Sequence, residues 1–269
     1  MIEFEWILTY VVLGSFVGFL AGLFGIGGGG IMVPLLTTMF VIQGFPIEHT
    51  VHAALATSMA AIIFTSISSL RAHHRLGGVI WPVVIKIAPG IIIGTFGFAY
   101  IASWIPAQPL AIFFVAFMFY VSARMFMNIK PKPSRELPGT IGLSAAGTGI
   151  GGVSALVAIG GGSLTVPFLT WCNVNIQKAI GTSSAVGFPI AVAGSLGYFA
   201  GGLNVEGLPD YSLGYIYLPA VLAITFVSVL MAPYGAKLAH KLPVPTLKKL
   251  FAIMLMLLCA MMLYTVFSS

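Results

Sequence analysis

An apolar phrase built on consecutive glycines occurs twice in this chain, and no ordinary spanning helix can contain it. Near the start, Gly25-Ile-Gly-Gly-Gly-Gly30 runs into Val33-Pro34 and Thr37. Past the midpoint, Gly160-Gly161-Gly162-Ser163 runs into Val166-Pro167 and Thr170. Gly27, Gly28, Gly29, Val33, Pro34, Leu36 and Thr37 match Gly160, Gly161, Gly162, Val166, Pro167, Leu169 and Thr170 without a gap. A glycine run cuts a helix and leaves backbone polar groups unpaired. Lipid cannot satisfy them, so such a break must line a protein-buried or watery space. Two breaks at corresponding places in two halves of a membrane chain mark the binding site of a secondary transporter.

The membrane setting follows from composition. Hydrophobic residues make up 59% of the chain and charged residues 7%, against about 25% charged in soluble domains. Apolar stretches near the ~20 residues of a spanning helix recur along the whole length, and no polar block is large enough for a separate soluble domain. The expected fold is an all-α integral membrane protein of two inverted repeats in one membrane domain. Residues 1–130 form the first repeat, 131–138 a cytoplasmic linker and 139–269 the second repeat. Glu3 and Glu5 stand where a secretory signal would carry basic residues, so the first apolar stretch reads as a retained helix.

Each half divides into five apolar elements. They are 5–24, 30–43, 50–70, 79–103 and 108–128, then 139–158, 163–172, 177–200, 212–235 and 246–267. The second element of each half is short, about 10 to 14 residues, and reads either as a half-helix or as the return arm of a re-entrant hairpin. Both options give an odd count per half. Charge then sets the orientation. With Lys130, Lys132 and Arg135 in the cytoplasm, Arg71, Arg75, Lys178, Lys237, Lys241, Lys248 and Lys249 also fall inside. Glu3, Glu5, Glu48, Glu206 and Asp210 fall outside, and Glu136 is the single inside carboxylate. Counting each glycine-broken pair as one crossing puts the Arg71 and Lys241 loops on opposite faces, which fits worse. The expected location is the cytoplasmic membrane, multi-pass, with both termini extracytoplasmic. The net charge of +6 is explained by these loops, so no nucleic-acid partner is expected.

The residues that could carry chemistry cluster at the breaks. Gly27, Gly28, Gly29 and Gly30, like Gly160, Gly161, Gly162 and Ser163, lie just ahead of a new helix. Exposed N–H groups and the positive end of the helix dipole meet there and suit an anion. The plainer reading, close helix packing, is weakened by the duplication. Thr57-Ser58 and Thr182-Ser183 form a second repeated pair, and neutral hydroxyls donate to an anion without burying an unpaired charge. Thr37 and Thr170 occupy equivalent places in the short helices, with back-bonding to their own helix as the alternative. His52 precedes Thr57 as Gln177 precedes Thr182, and could donate to an anion or take a proton. Lys86 either snorkels or adds positive potential to the cavity. His73, His74 and Arg75 are explained by topology, and Arg124 reads as an interfacial anchor.

Other features point away from catalysis and cofactors. Gly25, Gly27 and Gly30 match the dinucleotide fingerprint in form but lack its strand–turn–helix setting. Cys172 and Cys259 have no metal-ligand spacing and read as inert apolar residues. No metal, cofactor or catalytic residue is expected. No carboxylate lies clearly inside a span, which disfavours carboxylate-based cation coupling. Gly14, Gly18 and Gly22, and Gly90 with Gly94, have the spacing of tight helix contacts. An anion channel is a rival. An intramembrane enzyme is a weaker one, since a Gly-x-Ser-Gly motif, a ligating histidine cluster and paired carboxylates are all missing.

The chain resembles the sulfite exporter TauE/SafE family of membrane transporters. The resemblance rests on Gly25–Gly30 with Val33-Pro34, on Ala56-Thr57-Ser58, and on His73-His74-Arg75-Leu-Gly77 leading to Trp81. Ala88-Pro89-Gly90 with Gly94 and, in the second half, Gly160–Gly162 with Val166-Pro167 and Gly181-Thr182-Ser183 complete it. It implies transport of a small sulfur-containing anion (sulfite, an organosulfonate or thiosulfate) across the prokaryotic cytoplasmic membrane. Inverted repeats are the usual basis of alternating access at a midplane site, and the expected direction is outward, since an anion leaving a negative interior needs no further coupling. The expected partners are that anion and the lipid bilayer. Ser163 opposite Gly30, and Gln177 opposite His52, make the half-sites unequal, so one bound anion is expected in place of two.

Overall fold

The computed structural model describes residues 4–24, 28–127, 134–239 and 244–268. The first half contains α1 (Phe4–Phe24), α2 (Gly29–Ile42), α3 (Ile47–Arg75), α4 (Trp81–Ala102) and α5 (Ala107–Phe126). The second contains α6 (Thr140–Val157), α7 (Gly162–Trp171), α8 (Ile176–Gly202), the strands β1 (Ser212–Leu213) and β2 (Ile216–Tyr217), α9 (Leu218–Ala239) and α10 (Val244–Ser268). Among the described residues, six stretches are long and apolar enough to cross a membrane: α3, α4, α5, α6, α8 and Lys249–Ser268 of α10. The chain is an all-α membrane protein.

The centre is built on small residues. Every residue from Thr50 to Ile62 of α3 is buried. α8 likewise buries Gly181, Ala185, Gly187, Ala191, Ala193 and Gly194. Two small-residue helices can be enclosed on all sides because their backbones approach closely. α3 and α8 run antiparallel. The segment after α8 stacks Tyr215 on His52 near the start of α3, with ring centroids 5.0 Å apart. The segment after α3 brings Gly78 against Gly181 near the start of α8. Large apolar side chains such as Ile93, Phe119, Leu222, Phe226 and Tyr264 face outward, as lipid-facing surface requires.

Around this pair the halves exchange partners in matching register. α1 packs on α9 and α6 packs on α4. A Cβ on Gly14 would lie 2.8 Å from Ile224 Cα, and one on Gly18 would overlap the Ser228 backbone. Carrying the gap-free register of the glycine phrases back along α1 and α6 pairs Gly14 with Gly147 and Gly18 with Gly151. Cβ atoms on those two would lie 2.5 Å from Ile87 O and 2.6 Å from Ile91 O of α4. In return, Gly90 and Gly94 of α4 meet the backbones of Ser144 and Thr148.

Two elements depart from expectation. α3 extends beyond 50–70 at both ends, because its polar last turn, Arg71 to Arg75, stays helical after the apolar run stops. The expected helix at 212–235 begins only at Leu218. Ahead of it, Ser212 pairs with Tyr217 and Leu213 with Ile216 in an antiparallel hairpin. The hairpin lies flush on the end of α8 because a Cβ on Gly202 or Gly214 would overlap the other segment's backbone. Apolar content alone could not separate these aromatic and β-branched residues from a helix start.

Candidate transport site

The two glycine breaks take one backbone shape. Gly28 caps α2 in the left-handed conformation (φ 78°, ψ −13°), and Gly161 caps α7 in the same way (φ 82°, ψ −25°). An L side chain there costs about 1–2 kcal/mol, which accounts for glycine at both. Ile31 and Met32 donate their N–H groups to Gly28 O at 3.1 and 3.0 Å. Leu164 and Thr165 donate theirs to Gly161 O at 3.3 and 2.8 Å. The N–H groups one step earlier, of Gly29 and Gly30 and of Gly162 and Ser163, are first-turn donors for which a helix has no acceptor. Gly27 lies outside the described residues.

The breaks meet in the core. A Cβ on Gly29 would overlap the Ala158 carbonyl oxygen and lie 2.8 Å from Ile62 Cδ1. Ile62 also reaches the second break, 3.4 Å from a Cβ position on Gly160. From α8, a Cβ on Gly187 would stand 2.7 Å from Gly160 O. In the register that pairs Thr57 with Thr182, Ile62 falls on Gly187 and Ser58 on Ser183. Ser58 and Ser183 are therefore each one turn from the residue that presses on a break. Both are buried, and Ser58 Oγ has no hydrogen-bond partner among the described residues.

The breaks are nevertheless unequal. α2 is buried continuously from Gly29 to Pro34, and a Cβ on Gly30 would overlap the Met118 methyl. α7 buries only Thr165 and Leu169. A Cβ on Gly162 would meet nothing within 4 Å, and Gly162 and Ser163 are half-buried. α2 has α10 packed against it as well as α3, whereas α7 rests chiefly on α8. No Lys, Arg, Asp or Glu is buried among the described residues, so what these breaks offer a ligand is dipoles and hydroxyls.

Several candidate residues are placed elsewhere or used otherwise. Thr57 Oγ1 accepts from Tyr217 N at 3.1 Å, and Thr182 Oγ1 accepts from Ile80 N at 3.0 Å. Each clasps the residue just ahead of a helix, α9 and α4 respectively. Thr37 donates to Val33 O at 2.8 Å and Thr170 to Val166 O at 2.5 Å, so both spend their proton on their own helix. His52 is placed away from the breaks. It lies some 15 Å along α3 from Ile62 at 1.5 Å per residue, and its Nε2 is 2.9 Å from Ile105 O and 3.1 Å from Ala102 O. Two carbonyl partners require a donating Nε2–H, so His52 ties α3 to the loop between α4 and α5. Lys86 is exposed beside Ile85 and Pro89 on the outer surface of α4, where a lysine snorkels.

Four hydroxyls not singled out in the sequence stand out here. Thr95, Ser122, Ser154 and Thr165 are each fully buried, and none of their oxygens has a partner among the described residues. Ser154 closes the last turn of α6 ahead of the second break. Thr95 lies 2.6 Å from a Cβ position on Gly151. Thr165 Oγ1 is 3.5 Å from a Cβ position on Gly161, the cap of α7. A sequence signal for Thr165 exists, since the aligned phrases set it against Met32.

Comparison with known proteins agrees with this architecture. A probable membrane transporter protein of Haemophilus influenzae is 38% identical over 257 residues, covering 94% of this chain and 96% of the relative. One from Methanocaldococcus jannaschii is 28% identical over 252 residues, covering 90% of each. One from Bacillus subtilis is 29% identical over 250 residues, covering 90% of this chain and 92% of the relative. No solved structure matches. The family described as sulfite exporter TauE/SafE matches residues 10–262, nearly all of the helical body described above, and the chain belongs to that family.

Proposed function

We propose that this protein is a secondary transporter that moves a small sulfur oxyanion outward, with sulfite, an organosulfonate or thiosulfate as the substrate class. It works by alternating access between two inverted repeats. The supporting observation is the pair of left-handed glycine caps, Gly28 and Gly161, brought together in the core with Ser58 and Ser183 one turn away. Membership of the TauE/SafE family and the relatives' names as probable membrane transporters favour the same reading. A site of dipoles and neutral hydroxyls holds an anion without a fixed cation, so release does not require breaking an ion pair. An anion leaving a cell with a negative interior gains about 2.3 kcal/mol per charge per 100 mV, so export needs no further coupling.

Reconstitution tests this reading. Purified protein in liposomes is offered sulfite, thiosulfate, sulfoacetate, sulfate and chloride, with and without an imposed potential. Selective, saturable flux driven by the potential, with exchange stimulated from the far side, is expected. Large unitary currents would replace the carrier by a channel, and absence of flux for every sulfur anion would refute the substrate class.

A further inference from the structure

We infer that the anion is held at the second break alone, by Thr165 Oγ1 with the N–H groups of Gly162 and Ser163, and that this site selects singly charged sulfur oxyanions over sulfate. The inference rests on the transporter reading above and names the ligands and substrate charge within it.

At three aligned positions the second break is the more hospitable. Gly162 faces open space where Gly29 is pressed on the Ala158 carbonyl. Ser163 is half-buried where Gly30 is sealed by Met118. Thr165 brings a hydroxyl where the first break has the apolar Met32, both of them fully enclosed. The N-terminus of α7 is by itself only a favourable field. The hydroxyl is the independent observation. Most intrahelical hydroxyls of this protein donate to a carbonyl three or four residues back, as Thr37, Thr148, Thr170, Ser184 and Ser195 do. Thr165, fully buried beside the Gly161 cap, makes no such bond. A buried hydroxyl left without a partner carries a desolvation cost that a ligand acceptor relieves.

Charge selection follows from the donors. The cost of taking an ion out of water rises as the square of its charge, while the attraction of fixed dipoles rises only linearly. With no Lys or Arg buried among the described residues, a site of two N–H groups and a hydroxyl has nothing to offset the second charge of sulfate. A monosulfonate or hydrogensulfite presents similar oxygens with one charge, so these are the members of the proposed substrate class that the site selects, and thiosulfate, a dianion like sulfate, is disfavoured with it.

Calorimetric binding to the purified full-length protein, with methanesulfonate as permanent monoanion and sulfate as dianion, tests this. Wild type is expected to bind methanesulfonate at least ~10-fold more tightly than sulfate. Thr165→Val is expected to weaken methanesulfonate by about 10- to 100-fold, the range of a hydrogen bond to a charged group, while Thr165→Ser restores it. Met32→Leu at the equivalent place should bind as wild type. Should Thr165→Val fail to fold, Gly162→Leu decides, because its side chain enters open space and fills the position assigned to the anion. It should fold and bind nothing. Wild-type-like binding by Thr165→Val or Gly162→Leu, with wild type still transporting sulfur anions, overturns this inference and leaves the transporter reading standing. Equal affinity for sulfate overturns the charge selection. Wild type that neither binds nor transports any of the anions defeats both readings.

Discussion

Gly28 and Gly161 hold a left-handed φ that only glycine adopts cheaply. Gly161→Ala adds about 1–2 kcal/mol of backbone strain, and its methyl would sit 3.1 Å from Ile190 Cδ1, a flexible group that can give way. The expected outcome is a protein that inserts but melts several degrees lower in detergent and transports poorly. At Gly29 a methyl would overlap a carbonyl that cannot move freely, so Gly29→Ala should be the worse of the two by the same melting assay. His52 makes the opposite case. Its Nε2 serves two loop carbonyls, so His52→Ala should lose about 1–3 kcal/mol as a shift in melting temperature. The substrate KM of whatever folded protein remains should be unchanged. A raised KM at normal stability would return His52 to the site.

At the scale of elements, each repeat lends a hydroxyl to the other. Thr57 of α3 holds the N–H of Tyr217 ahead of α9, and Thr182 of α8 holds that of Ile80 ahead of α4. These clasps lie on opposite sides of the middle of the antiparallel α3–α8 pair, and under the alternating-access mechanism proposed above they would serve as its gates. Thr57→Val and Thr182→Val should therefore bias the conformation in opposite directions. Labelling of a cysteine at Gly162 from one face should rise in one variant and fall in the other, with parallel changes arguing against gating. Much of this was legible beforehand. The helices, the broken pairs and the Thr-Ser repeats follow from apolar length and self-similarity, which are local properties. The division of labour within each Thr-Ser pair was not legible, because it depends on which backbone from the other half arrives beside Thr57. The Gly202–Gly214 contact that seats the hairpin was hidden for the same reason, as was the fate of His52, settled by carbonyls about 50 residues away.

For the whole molecule the decisive question is parity, since inverted repeats exist only if each half crosses the membrane an odd number of times. The exchange of α1–α9 for α6–α4 in matching register and the antiparallel α3–α8 pair are what an inverted relation produces. Four exposed positions read it out: Glu48, Arg75, Glu136 and Asp210. Single cysteines at these sites, in a background lacking Cys172 and Cys259, are probed with a membrane-impermeant thiol reagent added from either face. Arg75 and Glu136 should react only from the cytoplasm, Glu48 and Asp210 only from outside. If Arg75 and Glu136 label from opposite faces, the chain crosses the membrane an odd number of times between them in place of the two crossings of α4 and α5, and the inverted relation fails. Agreement at all four places the start of α8, and with it the C-terminal end of the ten-residue α7, on the cytoplasmic side. The open N-terminal end of α7 at Gly162 would then point toward the middle of the membrane, where a dipole-based anion site gains most from the low dielectric around it.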